Sequence, residues 1–124
     1  MKALCPLLFS LLCVEFVSAQ NNWQWNAASG DWNNAANWNV DLGAPDNDRF
    51  VNNAGTAIIS ANTVVPIRDM KVGLGAGTSG RVDQIAGTHN TGGWTFVGNG
   101  GGNGTYNIAY TATSGGTFTG FGMG

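Results

Sequence analysis

Three sequence landmarks recur at a nearly constant interval, and that interval limits the fold more than any other feature of the chain. Val72-Gly73 returns as Val97-Gly98 and, approximately, as Phe121-Gly122. Gly80-Arg81-Val82-Asp83 returns as Gly104-Thr105-Tyr106-Asn107, and Gly92-Gly93-Trp94 returns as Gly115-Gly116-Thr117. Each spacing is about two dozen residues, a length that suits one winding of a β-solenoid. The runs inside the interval are short and β-type: Ala57-Ile58-Ile59, Thr63-Val64-Val65, Met70-Lys71-Val72, Trp94 to Val97 and Thr105 to Thr113. In the last of these Tyr106, Ile108 and Tyr110 alternate with Asn107, Ala109 and Thr111, the period of a strand. No segment carries a sustained helical stripe. The expected fold is therefore all-β, a parallel β-helix whose windings stack about 4.8 Å apart. Val82 is expected beneath Tyr106 and Val97 beneath Phe121, with Ile108 also inside and Gly73, Gly98 and Gly104 at the corners, where glycine tolerates positive φ.

Composition fits such a stack. Only 10% of the 124 residues are charged and 20 are glycine. Stacking in register brings identical positions together, so a low charge avoids columns of like charge. A net charge of −2 supplies too few cations to neutralise a phosphate backbone, which excludes nucleic acid as an expected partner.

Met1 to Ala19 reads as a secretory signal peptide. Lys2 is the basic start, Ala3 to Val14 the apolar run, and Val17-Ser18-Ala19 the cleavage site before Gln20. The apolar run is too short to span a bilayer, is broken by Pro6 and is followed by Glu15, so no membrane insertion of the mature chain is expected. Both cysteines, Cys5 and Cys13, fall within this segment. The mature chain then has no thiol, no disulfide and no Glu, and keeps one histidine, His89, and one lysine, Lys71. The chain accordingly divides into residues 1–19 as signal peptide, residues 20–66 as a Trp- and Asn-rich cap with the first strands, and residues 67–124 as the start of the solenoid. It breaks off near the start of a third winding, and the expectation is that it is the N-terminal part of a longer protein.

Candidate sites are few. Trp23, Trp25, Trp32 and Trp38 crowd one segment. Exposed indoles, Trp23 and Trp25 in particular, could stack on pyranose rings; buried ones would cover the end of the first winding. Asp46 and Asp48 have oxygens at a spacing a Ca²⁺ loop can use but lack the bidentate Glu of a defined loop, and an Asx turn after Pro45 explains the same residues and is the favoured reading. His89, in Gly87 to Gly92, reads as a solvated loop histidine without a metal or catalytic partner. Asp69 and Asp83, with Arg68, Lys71 and Arg81, could form an acid/base cluster on a solenoid wall, although no spacing requires it. The Gly100 to Gly104 run lacks the Lys-Ser/Thr and helix of a phosphate loop. No cofactor is expected and no catalytic set can be named.

Gly30-Asp31-Trp32-Asn33-Asn34-Ala35-Ala36-Asn37-Trp38 forms a G-x-W-x₄-N-W pattern, followed by Gly43, Pro45 and Asp48. This stretch, with Val97-Gly98-Asn99-Gly100, Gly104 to Ile108 and Gly115-Gly116-Thr117-Phe118, resembles exported bacterial β-solenoid surface proteins of the autotransporter-passenger and PEP-CTERM types. The resemblance implies a secreted or cell-surface, non-enzymatic protein of structural or adhesin type, with Trp32 and Trp38 as scaffold residues. Its partners would be extracellular polysaccharide or the surface of a host or neighbouring cell. The alternatives are a polysaccharide-binding module using the Trp group, or a piece of a β-helix polysaccharide-degrading enzyme.

Overall fold

The computed structural model describes residues 21–41, 47–64, 67–109 and 117–119. Short β-type runs separated by Gly and Asn turns become eleven strands: β1 Asn22–Trp25, β2 Ser29–Asp31, β3 Trp38–Asp41, β4 Arg49–Val51, β5 Asn53–Ile59, β6 Met70–Val72, β7 Ser79–Gln84, β8 Thr88–Asn90, β9 Thr95–Val97, β10 Asn103–Ile108 and β11 Thr117–Thr119. They form a parallel β-solenoid of about three turns. One ladder runs β3-β1-β4-β6-β9, a second β2-β5-β7-β10, and a third joins β8 to β11. Every pairing is parallel except β1 with β3, which is antiparallel. No helix among the described residues is long and apolar enough to cross a membrane.

The two best landmarks stack as the interval requires. Gly80 to Asp83 lies beneath Gly104 to Asn107, with Val82 paired to Tyr106. Val72 lies beneath Val97. Alternation then sends every second side chain inward. Val51, Ala57, Ile59, Met70, Val72 and Val82 are all fully buried, and burying each larger aliphatic side chain contributes about 2 kcal/mol. Gln84 is a buried polar residue of this core and is satisfied. Its Nε2 donates to the Gly87 carbonyl at 2.8 Å, and its Oε1 accepts from the Tyr106 hydroxyl at 2.7 Å. Burial raises the Tyr106 pKa, which keeps that hydroxyl a donor.

Several expectations need correction. The third landmark is out of register: Thr117 stands over Thr88, not over Trp94. Residues 85–87 join β7 to β8, whereas residues 109–116 join β10 to β11, so the last connection is longer and breaks the interval on that side. The solenoid also begins earlier than residue 67, because β1 already pairs in parallel with β4 and β2 with β5. β3, antiparallel to β1, stands at the end of that ladder. Ile108, expected inside, is 44% exposed: it lies over Gln84, and no described strand pairs with β10 on its other side. Val97 is half-buried. The signal peptide, Asp46, Tyr110 and Phe121 lie outside the described residues.

Glycine acts here in two ways. Gly73 and Gly98 have φ of 58° and 68° and turn the chain after Val72 and Val97, as expected. Gly104 does not turn the chain; it sits inside β10, where a Cβ would lie 2.1 Å from the Val72 carbonyl oxygen. Gly80, its neighbour in the winding below, would meet the Val51 carbonyl oxygen at 1.7 Å. Gly55 repeats the pattern, 2.3 Å from the Ala27 carbonyl oxygen. Gly80 and Gly104, stacked in register, thus let the second ladder pass against the ends of β4 and β6, and Gly55 lies as close to the β1–β2 connection.

This closeness sets the expected result of two alanine substitutions. Gly80→Ala should lower the stability measured by urea denaturation by about 3 kcal/mol, because backbone must move. Gly77→Ala, at φ 79° but with open space around it, should cost only about 1 kcal/mol. Equal losses would remove the close-approach account.

Candidate functional site

The first winding gathers the aromatic side chains. In β1 Trp23 and Trp25 share a face, and Trp25 is paired with Trp38 across the antiparallel ladder. Their rings meet edge-to-face at 4.9 Å, Trp38 meets Trp32 at 4.8 Å, and Trp32 meets His89 of β8 at 4.9 Å. The local sequence fixes this chain of rings. Asn34 caps a 3₁₀ turn by accepting from the Ala36 amide at 3.0 Å, and that turn delivers Trp38. Asn37 Nδ2 donates to the Asp31 carbonyl at 2.9 Å, and a Cβ on Gly30 would lie 2.5 Å from that nitrogen. The Trp38 indole N–H donates to the Trp32 carbonyl at 2.8 Å. Each defined letter of the G-x-W-x₄-N-W pattern therefore has a geometric task.

Trp25, Trp32 and Trp38 are buried, at 3%, 2% and 5% exposure. Trp25 is therefore corrected as a glycan-stacking residue: it has no open face to offer. Trp23 is only partly buried.

Two basic groups lie in this aromatic core. Arg49, which opens β4 directly above Trp23, is 4% exposed. Its guanidinium carbon sits 4.4 Å from the ring centroid of Trp38, 4.9 Å from that of Trp23 and 5.6 Å from that of Trp32. The indole faces replace part of the water that a cation loses on burial. Its Nε has no hydrogen-bond partner. Burial lowers its pKa to about 10, so it stays charged at neutral pH. His89 is corrected from a solvated loop residue to a core residue. It is 1% exposed, and neither ring nitrogen has a partner. Burial first, and the Arg49 charge second, lower its pKa to about 4.

A small pocket of about 70 Å³ opens onto Arg49. Trp23, Trp32 and Trp38 line it together with Asn33, Ala35 and Val64, of which Ala35 and Val64 are exposed and Trp23 is partly buried. The Asn33 side chain is already committed, donating to the Asn62 carbonyl at 3.1 Å and accepting from the Val64 amide at 3.4 Å.

The charged residues expected on one wall fall into two groups. Asp48, 1% exposed, accepts from Lys71 Nζ at 2.5 Å and the Asp69 amide at 3.2 Å, and lies 3.3 Å from Arg68 Nε. Asp69 in turn accepts from Arg68 Nη2 at 3.1 Å and the Trp94 amide at 2.8 Å. Asp83 is held elsewhere, by Arg81 Nε at 2.8 Å and Asn107 Nδ2 at 2.7 Å. Asp48 is thus occupied by cations rather than open to a metal. Among the described residues no three His, Cys, Asp or Glu side chains gather as a metal ligand set would. The carboxylates knit neighbouring windings together.

No protein-family model, curated protein or solved structure was found to match the chain.

Sequence reasoning missed Arg49 and His89. Arg49 had one signal, its alternation with Val51 in a strand whose inward face is otherwise apolar. His89 had none inside its own Thr88-His89-Asn90 run.

His89 sets an acid limit. Its folded pKa of about 4 lies below the ordinary value of 6.5, so the unfolded chain takes up a proton first as pH falls. Stability should be fully present above pH 6.5 and decline as pH falls towards 4, by on the order of 3 kcal/mol. His89→Phe should flatten that part of the profile, measured by urea denaturation across the range. A slope unchanged by the substitution would assign the acid loss to other groups.

Proposed function

We propose that the chain is an exported, non-enzymatic β-solenoid of the cell surface or extracellular space, a stalk or adhesin-type scaffold. The supporting observation is how the described polar and charged side chains are used. Asp48, Asp69 and Asp83 bind cations or amides of their own or neighbouring windings, and Gln84 binds Tyr106. That is a scaffold use of charge: it holds windings in register. Parallel ladders give such a stack axial stiffness through the same hydrogen bonds that build it.

The address comes from the first nineteen residues, and the bacterial host from the resemblance of the G-x-W-x₄-N-W stretch and the Gly-punctuated windings. Among the alternatives, the polysaccharide-binding reading loses Trp25 to the core and retains Trp23. The enzyme reading loses its single wall cluster, because the five residues divide into two separate ionic groups.

Export is tested by expressing the chain with a C-terminal epitope tag in a Gram-negative host. The mature protein should leave the cytosol with Gln20 as its N-terminal residue, read by mass spectrometry of the N-terminal peptide. An Ala19→Arg variant should keep the uncleaved precursor. A cytosolic product still starting at Met1 would overturn the proposal.

A further inference from the structure

Arg49 is an unusual element in a solenoid core, because a buried cation is expensive unless an anion or a full set of acceptors compensates it. Neither is present among the described side chains. Asp48 and Asp69 are held by Arg68 and Lys71, Asp83 by Arg81, and Asp31 accepts from Ser60 Oγ at 2.9 Å. The indoles of Trp23, Trp32 and Trp38 compensate the charge through their faces, but they accept no in-plane hydrogen bond from Nε. The group is not sealed away either, since it forms part of the wall of an open pocket.

The pocket's dimensions and lining narrow what could complete it. A volume of about 70 Å³ is several times the ~10–15 Å³ that one water needs, room for a carboxylate. A planar carboxylate matches the donor fork of a guanidinium, and water exclusion by three indoles strengthens that pairing. A ring attached to the carboxylate extends from it towards the exposed part of the lining. There it meets the partly buried Trp23 and Val64, which is 74% exposed. Apolar surface at that point suits the C–H face of a pyranose. With Asn33 already committed on both sides, recognition rests on the carboxylate and the apolar ring face, and the sugar hydroxyls stay in water.

We propose that this pocket binds a hexuronic acid unit, its carboxylate on Arg49 and its ring across Trp23 and Val64. The site is separate from the export and scaffold reading, so either can fail while the other stands. It makes the first winding a contact point for acidic polysaccharide.

The test is an NMR titration of the ¹⁵N-labelled chain, following the indole N–H resonances, with sodium glucuronate as the probe. Glucose, acetate, inorganic phosphate and a glutamate dipeptide serve as the other arms. Glucuronate should give saturable shifts at Trp23, Trp32 and Trp38, and each of the other probes should bind at least about ten-fold more weakly. Val64→Asp places a carboxylate at an exposed position of the lining and should weaken glucuronate binding at least about ten-fold with the amide spectrum otherwise retained. Arg49→Met should abolish the shifts; where that variant does not fold, the Val64→Asp comparison and the probe series decide. The proposal is overturned by the absence of saturable shifts, by glucose binding as well as glucuronate, or by full affinity in Val64→Asp. Acetate, phosphate or the dipeptide matching glucuronate would overturn the uronic acid assignment.

Discussion

The constraint on which everything else depends is the narrow separation of the two main ladders. Where Gly55, Gly80 and Gly104 pass the carbonyls of Ala27, Val51 and Val72, there is no room for a methyl group. These close approaches draw the ladders together, and the enclosed core is then thin enough for single side chains from each wall to fill it. Val51 and Val72 meet Ala57 and Val82 across such a gap. A wider solenoid would need larger residues or water inside. The aliphatic core and these glycines are therefore two sides of one geometric choice, and the register of each winding follows from repeating it.

Register, once fixed, governs where charge can go. In a parallel stack each side chain lies over its counterpart, so a charged residue must find a neutral or opposite neighbour above and below. Arg81 lies between Thr56 and Thr105, and Asp83 between Ile58 and Asn107. Lys71 lies between Phe50 and Phe96 and reaches sideways to Asp48. None of these columns places like charges on adjacent windings. The low charge of the sequence is a consequence of stacking, and the few charges present serve as ties between windings.

What could be read from the sequence was what repeats. The pairing of β7 with β10 was legible residue by residue, because Gly80 to Asp83 and Gly104 to Asn107 share spacing, glycine and alternation. The β8–β11 ladder was not, because residues 109–116 lengthen one connection and the Gly-Gly landmark falls out of step with the strands it was expected to mark. The role of Gly104 was misread for a related reason: glycine at a turn and glycine under a carbonyl look alike in one dimension. The aromatic site was half legible. The G-x-W-x₄-N-W spacing indicated a built structure, and Trp32 and Trp38 belong to it. Arg49 and His89 join that site from β4 and β8, which reach it only through the stacking of successive windings, so no local pattern could include them. Trp25 stands between Gln24 and Asn26, polar neighbours that do not mark its inward face, although strand alternation permits one.

The two buried bases of the aromatic core show how such a site remains compatible with folding. Arg49 and His89 both contact Trp32, and a second positive charge in that chamber would meet the first in a region with little water to screen it. The structure resolves the conflict by assigning the charge to the residue better able to hold it. A guanidinium is weakly hydrated and delocalised, and even after burial its pKa stays far above neutrality, whereas an imidazole needs only a modest penalty to remain neutral. Exchange of the two side chains would not be equivalent. Histidine at position 49 would sit neutral among the three indoles and leave the pocket without a fixed charge. Arginine at position 89 would place a cation against the edge-to-face contact with Trp32. The order of residues therefore puts the permanent charge in the pocket lining and the titratable ring on the other residue that meets Trp32.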